Sequence, residues 1–230
     1  ENSIEAAYFA RNNSCGCLSN KENLEIKKWF EQKDKEYTIN VKYDGDDNND
    51  GYEIATSMAT IPAAIEKYKY AKKLNIDLHP EPYSSSSTTS VFEIGNLELN
   101  NQNIYIRKII YQRSYPVIKG NFKINNSQLH IFNDQLSLTF IPTEENLPCF
   151  ITENSILILE NLAFDWLSVD RPLIEAKSSE IEIKNCTLKT HEYMVENEGP
   201  YYMPSVNATY LSSIYIDLCH TNGEAVVDDS

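Results

Sequence analysis

The chain has 230 residues, 41% of them hydrophobic, with 15 Tyr and 8 Phe, enough for a sizeable core, and a formal net charge of −14. That acidity argues against nucleic acid or an anionic membrane surface as a partner, since both repel a strongly negative chain. No apolar run approaches the roughly 18 residues of a spanning helix, so no membrane span is predicted.

Residues 1–35 read as the tail of a cysteine-rich module followed by a helix. Cys15 and Cys17 are separated by one residue, too few for a zinc knuckle, and read as disulfide candidates. Five cysteines leave at least one thiol free or paired outside the chain, and Cys149, Cys186 and Cys219 lie in strand-like contexts where a buried thiol is expected. Ser19-Asn20-Lys21-Glu22 is a capping box, and Ile26, Trp29 and Phe30 share a helical face, predicting a helix over 20–33. Residues 37–43 alternate like a strand.

Asp44, Asp46, Asn48 and Asp50 match the start of an EF-hand loop, but Asn49 and Ala55 stand where Gly and Glu are required. A solvated turn is the preferred reading, with a weak Ca2+ contact as the alternative. Beyond it, Thr60 suits an N-cap and Pro62 the first turn of a helix near 61–74, whose stripe is Ala64, Ile65, Tyr68 and Ala71. A strand, a Gly/Asp/Asn loop and then Ala59-Thr-Ile-Pro-Ala-Ala-Ile65 resemble the opening of right-handed parallel β-helix (pectin-lyase-like) proteins. The resemblance covers about residues 37–190; it departs at Tyr52 and in having few later glycines. It implies a helix that covers the first coil. Residues 84–90 form a Ser/Thr link.

From Val91 to Thr190 the pattern apolar-x-apolar-x-Asn occurs four times, beginning at Leu97, Phe122, Leu157 and Ile181, in steps of 25, 35 and 24. Such a period predicts a solenoid. The fold class is therefore all-β, a right-handed parallel β-helix of four to five coils over 36–220 with N-terminal capping helices, before an acidic tail at 221–230. Antiparallel strands are the alternative. The four copies would stack in one column, with Asn101, Asn126, Asn161 and Asn185 as one corner ladder and Glu98 facing Lys123 outside. The long step needs an insertion, placed at Ile141–Pro148. Residues 199–204 read as a loop and 210–218 as one more strand.

Sequons stand at Asn12, Asn125, Asn185 and Asn207; roughly three arise by chance in so Asn-rich a chain, so they do not argue for secretion. Asn207 in the looser tail is the best glycan carrier, ahead of Asn125 and Asn12, while Asn185 should resist modification.

Lyases and hydrolases share the fold that the resemblance implies. Asp165, Asp170 and Arg171, with Glu175 nearby, form the best carboxylate cluster for acid–base work or a Ca2+, but corner aspartates commonly make turn hydrogen bonds. His79, His130, His191 and His220 lack ligand spacing. Tyr105, Tyr111, Tyr115 and Trp166 suit packing better than sugar stacking. The favoured reading is a non-catalytic building block of an extracellular coat or filament, whose partners are copies of itself or further parts of a longer chain. The alternatives are a polysaccharide lyase or hydrolase and a glycan-binding module.

Overall fold

The computed structural model describes residues 20–80, 89–109, 116–133, 138–143, 147–164, 172–189, 192–195, 199–202, 206–209, 212–217, 220–222 and 227–229. Helix α1 (Asn20–Gln32) precedes β1 (Glu36–Lys42); α2 (Ile61–Lys67) precedes β2 (Lys73–His79). The regular coil then holds β3 (Val91–Asn100), β4 (Asn103–Lys108), β5 (Val117–Asn125), β6 (Gln128–Phe132), β7 (Leu138–Ile141) and β8 (Phe150–Glu153). It continues through β9 (Ile156–Glu160), β10 (Leu162–Phe164), β11 (Ile174–Lys177) and β12 (Glu180–Lys184). After β13 (Thr187–Lys189), an antiparallel hairpin of β14 (Glu192–Val195) and β15 (Gly199–Tyr202) interrupts the coil, so Gly199–Tyr202 is a strand and not the expected loop. Then come β16 (Val206–Thr209), β17 (Ser213–Asp217), β18 (His220–Asn222) and β19 (Val227–Asp229).

All coil strands pair in parallel, as a solenoid requires. Face A stacks β1, β2, β4, β6, β9, β12 and β17 in that order. The other sheet is bent into two faces, because β5 pairs with β7 through Val117–Lys119 and with β8 through Phe122–Asn125. Face B continues through β10, β13 and β18, and face C through β11, β16 and β19. Each turn runs A to B to C. The coil makes about three turns, fewer than the four to five expected.

The four sequence copies do not share a column. Leu97 pairs with Phe122 on face C, whereas Leu157 pairs with Ile181 on face A. The 35-residue step explains the split: it is one turn of 28 residues, Phe122 to Phe150, followed by the seven from face C to face A. Leu74, Ile104, Leu129, Leu157, Ile181 and Ile214 form one inward column on face A. The aromatic core of Phe122, Phe140, Phe150 and Phe164, contributed by faces B and C, is fully buried.

The corner from C to A is a two-residue turn. Asn101, Asn126, Asn154 and Ser178 occupy it with φ of 56°, 47°, 50° and 49°, the left-handed region that Asn tolerates best. The next residue of the turn carries a second, buried ladder. The backbone N–H of Gln102, Ser127, Ser155 and Ser179 donates to the Oγ of Ser127, Ser155, Ser179 and Ser212, at 3.0, 3.1, 3.2 and 3.1 Å. Ser155→Ala would strand the buried N–H of Ser127, so a loss of about 1–3 kcal/mol is expected. An unchanged urea midpoint would show that this ladder contributes nothing.

At the N-terminal end, Thr60 caps α2 by accepting from Ala63 N at 3.2 Å, with Pro62 beside it. The helix ends at Lys67, earlier than the predicted 74, because Lys73 already begins β2 on face A. No described helix is long and apolar enough to cross a membrane.

Candidate functional site

The carboxylates of the 44–50 loop are engaged in turns. Asp44 pairs with Lys42 at 2.8 Å, Asp46 Oδ1 accepts from Asn48 N at 2.9 Å, and Asp50 Oδ1 accepts from Thr56 Oγ1 at 2.8 Å. Asn48 turns its own amide to Asp46 Oδ1 at 2.8 Å. Asp47 reaches the start of α2, accepting from Ala59 N, Thr60 N and Thr60 Oγ1, each at 2.8 Å. Sequence reasoning had passed over Asp47; its partners lie 12 and 13 residues ahead. Among the described residues no group of three or more His, Cys, Asp or Glu could hold a metal.

Asp165, Asp170, Arg171, Asn12, Cys15 and Cys17 lie outside the described residues. Glu175 points outward on face C. Asn125 gives its amide to Glu98 and Asn100, both at 3.0 Å, and Asn207 stands half-exposed on β16. The predicted asparagine ladder occupies two corners. Asn101 and Asn126 stand between C and A, whereas Asn161 and Asn185 stand between A and B, where Asn185 Nδ2 donates to Asn161 Oδ1 at 2.6 Å. Cys186 follows at that corner, its Sγ 3.2 Å from Lys184 O, and Cys149 is a buried thiol whose burial pushes its pKa up. Glu98 and Lys123 pair outside at 3.3 Å, as predicted.

The outer side of face A gathers a charged strip that the sequence did not reveal. Arg107 clamps the buried Asp77 through two bonds of 2.6 and 2.9 Å. Lys73 lies 3.8 Å over the Tyr105 ring, and Tyr105 meets the edge of His130. His130 Nε2 sits 3.4 Å from Glu160, outside hydrogen-bond geometry, and Lys184 contacts both Glu160, at 3.6 Å, and Glu182, at 2.6 Å. Burial lowers the His130 pKa further than Glu160 raises it, so the ring is neutral near pH 7. Lys184 offsets one of the two carboxylate charges that it contacts. That arrangement braces a sheet better than it moves protons.

A groove follows the C-to-A corner beneath α1. Its two lobes, about 440 and 570 Å³, share Trp29, Tyr70, Asn101 and Gln102, and the second extends past Asn126 and Asn154.

The two ends of the stack differ most. At the N-terminal end, the outer edge of β1 is engaged at Asn40 and Lys42: Asn40 N donates to Gly51 O at 2.7 Å, Lys42 N to Met58 O at 2.9 Å, and Met58 N to Asn40 O at 2.9 Å. Ile61, Ala64 and Ile65 of α2 are buried over that end. Helix α1 packs outside them through Gln32, whose Nε2 donates to Lys67 O at 2.9 Å, and through Glu25, which pairs with Lys69 at 3.0 Å. The Lys69 hydrogen bond is the main cause that lowers the Glu25 carboxyl to about 2.

At the other end, β17 terminates face A. Ser213 N donates to Ser179 O and Asp217 O accepts from Asn185 N, both at 2.9 Å. Strand alternation therefore turns the N–H and C=O of Ile214 and Ile216 away from β12. Among the described residues no strand lies beyond them. Their side chains are only partly buried, whereas Ile181 and Ile183 one rung earlier are 0% exposed, and Tyr215 is 55% exposed.

Comparison with protein-family models, curated proteins and solved structures finds no match. The parallel β-solenoid is thus read from the chain's own geometry.

Proposed function

We propose that this chain is a non-catalytic structural and interaction element, a β-helix building block of an extracellular surface coat or filament. The observation that supports this reading is the asymmetry of the ends: one is covered by a loop and two helices, and at the other no strand lies beyond β17 among the described residues. Uncovered edges recruit strands, so an unprotected one suits association. The sealed end directs that association to the opposite end. The resemblance of residues 37–190 to pectin-lyase-like proteins, and the candidate disulfides at Cys15 and Cys17, support an extracellular setting.

Glycan binding is the second reading, favoured by the exposed Asn101, Asn126 and Asn154, which line the corner groove at successive rungs. One experiment separates the readings: intact mass and electron microscopy of native-source material, with turnover and retention assays on uronate polymers with and without Ca2+. Regular assemblies without turnover are expected. Turnover lost in Asp170→Asn would replace this reading with a lyase or hydrolase. Retention that survives Asp170→Asn, with no assembly, would select the glycan-binding module.

A further inference from the structure

We propose that Asn126 and Asn154 are latent self-modification sites, each able to close on the backbone nitrogen that follows it and kept from doing so by the serine ladder. Both are exposed at the corner from C to A, and both are followed by serine, small enough to leave that nitrogen open to attack. In the reaction Ser127 N attacks Asn126 Cγ and a C–N bond forms. The Cγ–Nδ2 bond breaks, and the proton of the attacking nitrogen leaves with the amide as ammonia. Water then opens the cyclic imide to aspartate or isoaspartate. Ser155 N and Asn154 stand in the same relation one rung on.

Two features of the folded corner block ring closure. The first is the ladder: Ser127 N–H is committed to Ser155 Oγ at 3.1 Å and Ser155 N–H to Ser179 Oγ at 3.2 Å. Ser127, Ser155 and Ser179 are buried, so an N–H that gives up its serine finds no water in its place. The second is the bend. With φ of 47° and 50°, Asn126 and Asn154 lie in the left-handed region, where ψ is roughly +30 to +60°. That ψ carries the following nitrogen to the far side of the Cα–C bond from Cβ, and the imide needs it on the near side. The chain must therefore leave its rung before it can react. Asn101 shares the corner, and Gln102 N–H bonds Ser127 Oγ, but the longer Gln102 side chain hinders attack. Isoaspartate routes the main chain through an added carbon at a turn built for two residues, so a rung that has reacted in this way cannot restack. A coil that opens long enough is thereby marked for good.

The test is peptide mapping of the full chain held at mildly alkaline pH, with fragmentation that separates isoaspartate from aspartate. The folded wild type should keep Asn126 and Asn154, while both convert in urea. Ser155→Ala removes the acceptor of Ser127 N–H and should speed conversion of Asn126 about tenfold or more, through more frequent opening of that corner. Ser179→Ala should do the same for Asn154 and leave Asn126 at the wild-type rate. Ser212→Ala cuts the next bond, where the residue before the freed nitrogen is Ser178, and should release neither asparagine. Circular dichroism on each variant checks that the coil is retained.

Conversion in the folded wild type as fast as in urea would overturn the proposal, since the corner would then protect nothing. So would equal acceleration at both asparagines in either variant, which is the mark of general destabilisation, and so would no acceleration at all. The comparison of folded and urea-unfolded wild type needs no variant, so a substitution that fails to fold still leaves the proposal open to refutation. None of these results bears on the building-block reading, which the assembly experiment decides.

Discussion

Gly120→Ala is expected to cost about 2–6 kcal/mol, combining backbone strain with overpacking, a large part of the stability of a domain this size. Gly120 has φ of 148°, and a Cβ there would lie 2.4 Å from Gly95 O and 2.9 Å from Gly95 N. Those atoms belong to the neighbouring rung and cannot swing aside as a side chain does. The site is where β5 bends from face B to face C, stacked on the same bend in β3, whose register shifts between Glu93 and Gly95. A single strand can serve two faces only because the two backbones approach this closely. Gly95→Ala separates the two causes. Its φ is 59° but nothing lies within 4 Å of its added Cβ, so only the left-handed penalty of about 1–2 kcal/mol applies. The measurement is the urea midpoint and slope of both variants. Equal losses would mean that the close approach at Gly120 is not a constraint.

The coil was legible in the sequence because each repeat ends where the backbone must turn left-handed, and Asn supplies that turn cheaply. The same cause hid the assignment of faces. Asn126 and Asn161 obey one conformational demand at two different corners, φ 47° and 57°, so the sequence shows one motif where the structure has two. Face B was harder still. Its strands Leu138–Ile141 and Leu162–Phe164 are too short for alternation to register, and neither ends in Asn. The buried serine ladder did leave a signal in Asn126-Ser127, Asn154-Ser155 and Ser178-Ser179, a dipeptide at the turn period. It was overlooked because serine in a turn is usually read as solvated. Strand β17 left no local mark: Ser213–Asp217 alternates like the other face-A strands, and only the stacking order makes it the last described one on that face. The strip from Asp77 to Lys184 is likewise invisible until Asp77 and Arg107, 30 residues apart, become neighbours.

Phe150→Ala is expected to remove about 3–5 kcal/mol, at the upper part of the range for a large-to-small change. Phe150 stacks on Phe122 with centroids 5.8 Å apart and planes 5° from parallel, and it meets Phe140 at 5.1 Å and Phe164 at 6.1 Å. Removing this ring leaves a void between two rungs that cannot close. Phe122 N donates to Cys149 O at 2.8 Å on one side, and Phe150 N donates to Leu173 O at 3.2 Å on the other, so the rungs hold their spacing. Phe30→Ala is the control, since that ring is 44% exposed and a surface change stays within about 0.5 kcal/mol. The position in the stack adds a second expectation. A solenoid is stabilised chiefly by contacts between neighbouring turns, so a void at the middle rung uncouples the sealed end from the open one. Hydrogen exchange in Phe150→Ala should show β9 and β12 losing protection at lower denaturant than β1 and β2. Simultaneous loss along the whole stack would show that the turns unfold as one unit and that the aromatic column is not what joins them.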